Sequence, residues 1–447
     1  MLTANKQNQD MSMFMARRHT LCQKIKAAYP EQSNGLLVLF ADFEKERMRF
    51  RQESSFYYLT GITEPAVAII IDLATEQTTL YIPHYSTDRA QWMPSELIER
   101  IKQNPAYAGI DTIAYKGSTV NGYQMFPFFH SDEYKGLVKK LADAVDKKRA
   151  LFTLYPNNTY AYFDQRFILL RLQQIIPELT NALVDISAEV ASMRRVKNMY
   201  EIEALFGAIE VTAIAHEAAA EVIAQGRLES EVQAHIEYVM TASHGRPSFP
   251  SIVASGQNST VLHYNQNNGI MTNGDVVVVD IGTELNYYCA DITRTYPVSG
   301  TFTRRQKEVY SVVLETQEYI AEIAKPGYWL NNKEQPEQSL QHLAKAFLKK
   351  HNYENYFMHG IGHFLGLDVH DVGDSCVPLQ EGDVFTIEPG IYIAAEALGI
   401  RIEDNYWMTE NGAVCLSESL PKQPDHIEDL MERRNHQDDD SEDDLHI

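Results

Sequence analysis

Short apolar runs alternate with amphipathic stretches in the first part of the chain. Gly35-Leu-Leu-Val-Leu-Phe-Ala41 and Val67-Ala-Ile-Ile-Ile-Asp72 are bounded by turn formers and predict buried strands, and Leu80-Tyr-Ile-Pro83 predicts a shorter one. Tyr134 to Val145 spaces its apolar residues at helical intervals and predicts a helix. These elements group into one α/β domain over residues 1–188, which carries no chemical motif of its own. A long amphipathic helix is then expected from Met199 to Ala224. Ile202, Leu205, Ile209, Ala213 and Ala220 fall on one face, and Gly226 stands where a C-terminal stop belongs. The basic run Arg194-Arg195-Val196-Lys197 just before it reads as a solvated connector. A second domain therefore spans 189–432, followed by a tail over 433–447.

The second domain contains an internal repeat. Gly274-Asp-Val-Val-Val-Val-Asp-Ile-Gly282 and Gly382-Asp-Val-Phe-Thr-Ile-Glu-Pro-Gly390 each form a buried-strand run that ends in a carboxylate and then meets glycine. Further acids follow in strand-like stretches, Asp291 in the first copy and Glu403 in the second. The offsets are similar, 108 positions from 280 to 388 and 112 from 291 to 403. This is the pattern of a pseudo-symmetric domain whose carboxylates converge from both halves. A hairpin over 274–296 turning at Leu285-Asn286 places Asp280 directly opposite Asp291, with Cβ atoms about 5 Å apart. Two like charges there are unfavourable unless a cation lies between them.

Composition narrows the class. A hydrophobic fraction of 44% with 22% charged residues is that of a globular chain with a sizeable core. A net charge of −22 argues against nucleic acid and anionic membranes as partners. Part of that charge sits in Asp438, Asp439, Asp440, Glu442, Asp443 and Asp444, a self-repelling block expected to be disordered. Cys22, Cys289, Cys376 and Cys415 are widely spaced with no C-x-x-C pair, which points to a reducing, cytoplasmic setting. Neither a signal-peptide core near the N-terminus nor a spanning apolar run is visible.

Histidines gather in the same half as the acids. His359, His363 and His370 lie within Met358 to Asp371, and His263 lies in Leu262-His-Tyr264. His359 and His363 are four apart, as in a zinc-binding helix, but Gly360 and Gly362 between them predict a loop. Asp280, Asp291, Glu388 and Glu403 with one histidine make an oxygen-rich donor set. Such a set suits Mn²⁺ above all, with Co²⁺, Fe²⁺ or Zn²⁺ as alternatives. Four carboxylates balance two divalent ions, and such a pair activates water and polarises a carbonyl or phosphoryl oxygen. From the residues alone, the reading is a two-metal hydrolase whose scissile bond is open.

The wording around these residues is more specific. Leu262-His-Tyr264, Asp291-Ile-Thr-Arg-Thr-Tyr-Pro297, the His359–Asp371 segment, Glu388-Pro-Gly-Ile-Tyr392 and Gly399-Ile-Arg-Ile-Glu-Asp404 strongly resemble the Xaa-Pro aminopeptidase (aminopeptidase P) family, pita-bread metallopeptidases close to prolidase. Ser55-Phe-Tyr-Tyr-Leu-Thr-Gly61 through Pro65 resembles that family's first domain. The resemblance implies an α/β (α+β) fold: an N-terminal creatinase-like α/β domain and a pseudo-twofold pita-bread catalytic domain. It also implies that Asp291 and Glu403 bridge two metals, Asp280 binds one, and His363 with Glu388 completes the other. Glu388 would take the proton from the attacking water. His359 would stabilise the tetrahedral intermediate or protonate the leaving nitrogen. His263 and His370 would contact substrate around proline, and Tyr392 and Arg401 would line and support the site. The implied partners are peptides with a penultimate proline and further copies of the chain, as a dimer or tetramer.

Prolidase is the nearest alternative. The seventeen residues between His370 and Glu388 leave no room for the long insertion of animal-type prolidases, and Leu420 to Asp429 looks more like aminopeptidase P. Methionine aminopeptidase fits less well because it usually lacks so large a first domain. A non-catalytic peptide-binding relative is disfavoured, since every ligand position holds a competent donor.

Overall fold

The computed structural model describes residues 11–45, 49–86, 95–119, 131–156 and 161–432. The acidic tail over 433–447 lies outside the described residues. Two compact units adjoin in sequence between Arg194 and Arg195. The division expected at 188/189 falls within the helix Ser187–Arg195 that leads to that junction. Among the described residues no helix is long and apolar enough to cross a membrane.

The first unit is built on a six-stranded mixed sheet of β1 (Leu36–Phe40), β2 (Ala68–Asp72), β3 (Thr78–Ile82), β4 (Thr112–Tyr115), β5 (Leu151–Thr153) and β6 (Leu183–Asp185), in the order β4-β3-β2-β1-β5-β6. The three predicted runs are β1, β2 and β3. All five residues of β1 are buried, because both faces of this central strand are covered. The predicted helix is Lys135–Asp146, whose Leu137, Leu141 and Ala144 join Val38 and Ile70 in one core.

Lys116 is a charged group inside this unit, only 1% exposed. Its Nζ donates to the Tyr134 hydroxyl at 2.9 Å and lies 4.1 Å from that ring's centroid. Burial pulls its pKa down from 10.5 to about 7, against the Glu133 charge that raises it. In that window the unfolded chain binds a proton that the folded chain does not. Lys116 therefore makes stability rise with pH from about 7 to about 10.5 and level off below. Urea midpoints between these limits are expected to climb more steeply in the wild type than in Lys116→Met. Equal slopes would refute this account of the buried ammonium.

The second unit contains β7 (Arg246–Pro247), β8 (Ile252–Ser255), β9 (Val276–Ile281), β10 (Thr283–Leu285), β11 (Tyr288–Cys289), β12 (Ile292–Pro297), β13 (Val384–Ile387), β14 (Gly390–Ile393), β15 (Leu398–Arg401), β16 (Asp404–Thr409) and β17 (Gly412–Cys415). They form sheets in the orders β11-β10-β7, β12-β9-β8 and β13-β16-β17, with β14 and β15 as a two-stranded ribbon. The sequence repeat is a backbone repeat as well. Gly274 and Gly382 precede β9 and β13 with φ of +93° and +89°, values that favour glycine over any L side chain. The predicted long helix is Met199–Val222. Asn198 and Glu201 close a capping box at its start, with both hydrogen bonds at 3.2 Å, and Gly226 follows its end with φ +82°.

Two expectations change. In the hairpin, Asp280 pairs with Thr293, not with Asp291. The turn is Asn286-Tyr287, both left-handed at φ +50° and +75°, one residue later than expected. Two consecutive positive-φ residues match the twist of flanking strands, which fixes this register. Moving the turn by one residue shifts the register by two and preserves the strand face, so Asp280 and Asp291 remain diagonal neighbours on one side. The basic connector is also not solvated, since Arg194, Arg195 and Lys197 are 3%, 8% and 5% exposed. Arg195 forks onto Asp383 at 2.8 and 2.6 Å, and Lys197 Nζ reaches Asp371 Oδ2 at 2.9 Å. Opposite charges at hydrogen-bond distance offset the cost of taking both out of water.

The two copies of the repeat meet strand against strand. Thr293 and Glu403 form a β-bridge, with Glu403 N donating to Thr293 O at 3.1 Å. Thr295 Oγ1 donates to the Arg401 carbonyl at 3.0 Å. This seam carries the acids of both copies to one place.

Candidate metal centre

Each acid sits at the end of a strand, where the chain leaves the ladder and its side chain can turn to a shared point. Asp280 is near the end of β9, Asp291 just precedes β12, Glu388 just follows β13, and Glu403 lies between β15 and β16. Asp280, Asp291 and Glu403 are buried. His363 arrives on the loop between Phe357 and Asp371, and ligand atoms of Asp291, His363 and Glu403 lie within 4.8 Å of one another. His363 Nε2 is 3.3 Å from Asp291 Oδ2, 3.7 Å from Glu388 Oε1 and 3.9 Å from Glu403 Oε1. Its Nδ1 faces the Phe364 carbonyl at 3.1 Å. A carbonyl only accepts, so Nδ1 carries the proton and the Nε2 lone pair is left to face the carboxylates.

The electrostatics fit a cation. Asp280 Oδ1, Asp291 Oδ1 and Glu403 Oε1 are buried without a hydrogen-bond partner in the described structure, an expensive state for carboxylate oxygens unless a cation compensates. Burial, then repulsion from Glu403 and Asp280, pushes Asp291 well above the usual carboxylate range. Burial and Glu403 do the same to Glu388, and burial with Asp280 raises Glu403 to about 7.

A hydrogen-bonded wall closes one side. Arg401 donates through Nη2 to Asp280 Oδ2 at 2.7 Å, through Nη1 to the Tyr392 hydroxyl at 2.8 Å and through Nε to Thr293 Oγ1 at 3.3 Å. The Tyr392 hydroxyl also meets His359 Nε2 at 2.8 Å, while His359 Nδ1 faces the Gly360 carbonyl at 2.9 Å. His359 Nδ1 lies 3.6 Å from Glu388 Oε2. Burial and the Arg401 charge lower the His359 pKa to about 3. His370 is exposed and sets its ring edge-on to His363 at 4.3 Å. His263 is exposed on the loop after β8, and repulsion from it contributes to lowering both His359 and His370. All of the sequence-predicted residues thus lie in the second unit. The loop from Phe357 to Asp371 is not helical, as its glycines predicted.

Sequence reasoning missed the residues behind the acids. Asn405 holds the main chain of Asp291 on both sides: Asp291 N donates to its Oδ1 at 3.3 Å, and its Nδ2 donates to the Asp291 carbonyl. Thr293 Oγ1 donates to Glu403 Oε2 at 2.8 Å. Arg294, fully buried, donates to the carbonyls of Thr293 and Glu403 at 2.9 and 2.8 Å and to Asp404 Oδ1 at 2.7 Å. Thr293, Arg294 and Asn405 all neighbour predicted ligands in sequence. That proximity was the only available signal, since partner identity depends on how the two halves meet.

An α/β chain whose duplicated strand motif gathers four carboxylates and one imidazole at the seam of its halves defines a metal-dependent hydrolase of the pita-bread class. Comparison with known proteins agrees. Residues 203–410 match metallopeptidase family M24, and residues 14–114 match the aminopeptidase P N-terminal domain. The chain is 32% identical over 432 residues to a Xaa-Pro aminopeptidase of Haemophilus influenzae, covering 90% of this chain and 94% of that one. It is 40% identical over 236 residues to a Xaa-Pro dipeptidase of Pyrococcus furiosus, covering 52% and 65%. An Escherichia coli aminopeptidase P variant in complex with substrate superimposes with a TM-score of 0.79 at 28% identity, over 96% of this chain and all of that one. The chain belongs to metallopeptidase family M24, alongside the Xaa-Pro aminopeptidases.

Proposed function

We propose that the chain removes the N-terminal residue from peptides with proline in the second position. Asp280, Asp291, His363, Glu388 and Glu403 would hold two divalent cations, with Mn²⁺ favoured by the oxygen-rich donor set. The observation that carries the metal reading is the set of three buried, unpartnered carboxylate oxygens on Asp280, Asp291 and Glu403, together with the His363 Nε2 lone pair, which lies 3.3 Å from Asp291 Oδ2 and 3.9 Å from Glu403 Oε1. When bound, the cations would acidify a water and polarise the scissile carbonyl. Following the resemblance, Asp291 and Glu403 would serve both cations, Asp280 would help hold one, and His363 with Glu388 would help hold the other.

Glu388 takes the proton from the attacking water at its carboxylate, and that proton passes to the leaving proline nitrogen as the C–N bond breaks, either directly or through His359, 3.6 Å away, which otherwise hydrogen-bonds the tetrahedral intermediate. Arg401 and Tyr392 hold Asp280 and His359 in place through their shared hydrogen bonds. His263 and His370 contact the substrate around proline. A bond before proline has a tertiary amide nitrogen with no N–H to grip. Recognition must therefore fall on ring shape, on the carbonyl oxyanion and on proton delivery to the nitrogen.

A dipeptidase reading is kept because of the 40% identity to the Pyrococcus enzyme. Purified protein supplied with Mn²⁺ is expected to bind about two ions per chain. It should cleave a Xaa-Pro-Xaa tripeptide faster than a Xaa-Pro dipeptide and lose activity to a chelator. Dipeptide-only cleavage would move the assignment to prolidase. No metal-dependent cleavage of either would leave a binding protein. The four cysteines form no disulfide, which supports a reducing cytoplasm as its setting. Light scattering tests the homo-oligomer implied by the resemblance.

A further inference from the structure

The loop that carries His263 leaves β8 at Ser255 and returns at Gly269. One fully buried side chain spans its neck. Glu229 Oε1 accepts from Ser255 N at 2.7 Å, Ser255 Oγ at 2.7 Å and Asn258 Nδ2 at 3.0 Å. Its Oε2 accepts from Gly269 N at 2.7 Å and from the Tyr264 hydroxyl at 2.8 Å. Five donors, all from the departing strand, the loop and its return, thus converge on one carboxylate. Backbone pairing reinforces the neck, since Glu229 N donates to the Gly269 carbonyl at 3.0 Å and Leu228 bridges Ile270. Gly269 packs so tightly that a Cβ there would lie 2.8 Å from the Glu229 carboxyl carbon. His263 is exposed, and its neighbour in the chain, Tyr264, is tied directly to that carboxylate.

We infer that Glu229 is the positioning residue for His263: its carboxylate fixes the conformation of residues 255–269 and so holds the imidazole where substrate is met. Glu229 contacts neither the acids nor His363, so its action on the reaction passes through the loop. This inference rests on the proposed substrate contact of His263. Charge is essential to the device. A carboxylate accepts at both oxygens, whereas the amide of Glu229→Gln would turn an N–H₂ group towards Gly269 N or Ser255 N, both of which can only donate.

The test uses the metal-loaded full chain. For Glu229→Gln, KM for a Xaa-Pro-Xaa peptide is expected to rise about tenfold while kcat stays within about twofold. Bound metal should stay at the wild-type level, and amide exchange should accelerate across 255–269. Adding Glu229→Gln to His263→Ala should raise KM no further, the non-additivity of two residues acting as one unit. Additive effects, lost metal or unchanged exchange would each overturn the inference. Tyr264→Phe removes one of the five bonds and leaves the carboxylate in place, so it supplies the same readouts should Glu229→Gln fail to fold. Unchanged KM in His263→Ala would overturn the substrate contact itself, and the exchange data separate that failure from a loss of Glu229's hold on the loop.

Discussion

Asp291→Asn is expected to abolish metal binding and to lower peptidase activity by on the order of 10³-fold, since Lewis-acid and water-activating contributions are worth several kcal/mol. The substitution keeps size and shape, so the change is one of charge. Asn405 grips the main-chain amide and carbonyl of Asp291, not its side chain, and will hold the strand in place. The apo variant should be at least as stable as apo wild type, because a buried charge repelled by Glu403 and Asp280 has been removed. A ligand that binds only the folded state stabilises it by mass action. Wild-type protein should therefore melt at a higher temperature with added Mn²⁺, and the variant should show no such rise. A variant that keeps both the thermal shift and activity within tenfold would remove Asp291 from the centre.

Arg294→Met is the second large effect. The Arg294 guanidinium makes five hydrogen bonds while fully buried: to the Thr293, Glu403, Leu420 and Pro421 carbonyls and to Asp404. It thereby ties the two strands that present Asp291 and Glu403 to each other and to the segment after Leu416. Methionine fills similar volume but leaves Asp404, among the described residues, with the Ser417 and Lys422 side chains as its remaining hydrogen-bond partners. Removing one partner of a buried pair costs about 3–5 kcal/mol. Chemical denaturation should read that loss, and metal affinity should fall by about tenfold or more through disturbed support of the ligands. Arg294→Lys should recover only part of either, because one ammonium cannot reproduce a fork across four carbonyls and a carboxylate. Full recovery by lysine would show that charge alone, without the fork, suffices.

Both effects lie at the seam between the repeats, and the same seam separates what was legible in the sequence from what was not. The strand runs at 36–40 and 68–72 and the helix at 199–222 were legible because hydrophobic periodicity is a local property of the chain. The acids at 280, 291, 388 and 403 were legible because charge at the end of an apolar strand is costly and the pattern occurs twice. The glycines between His359 and His363 marked a loop because glycine disfavours a helix interior.

The hairpin register was not legible, since it hung on which two residues take positive φ, and Asn286-Tyr287 gives a weaker signal than a turn with glycine. The burial of Arg195 and Lys197 was hidden because their partners, Asp383 and Asp371, lie more than 170 residues away in sequence. The same holds for the Glu229 neck, the Arg294 fork and the Asn405 grip on Asp291. Side-chain type and spacing announce which groups can do chemistry. Which groups hold them in place is decided only when distant segments pack, because a buried polar atom takes whatever partner the fold brings within about 3 Å.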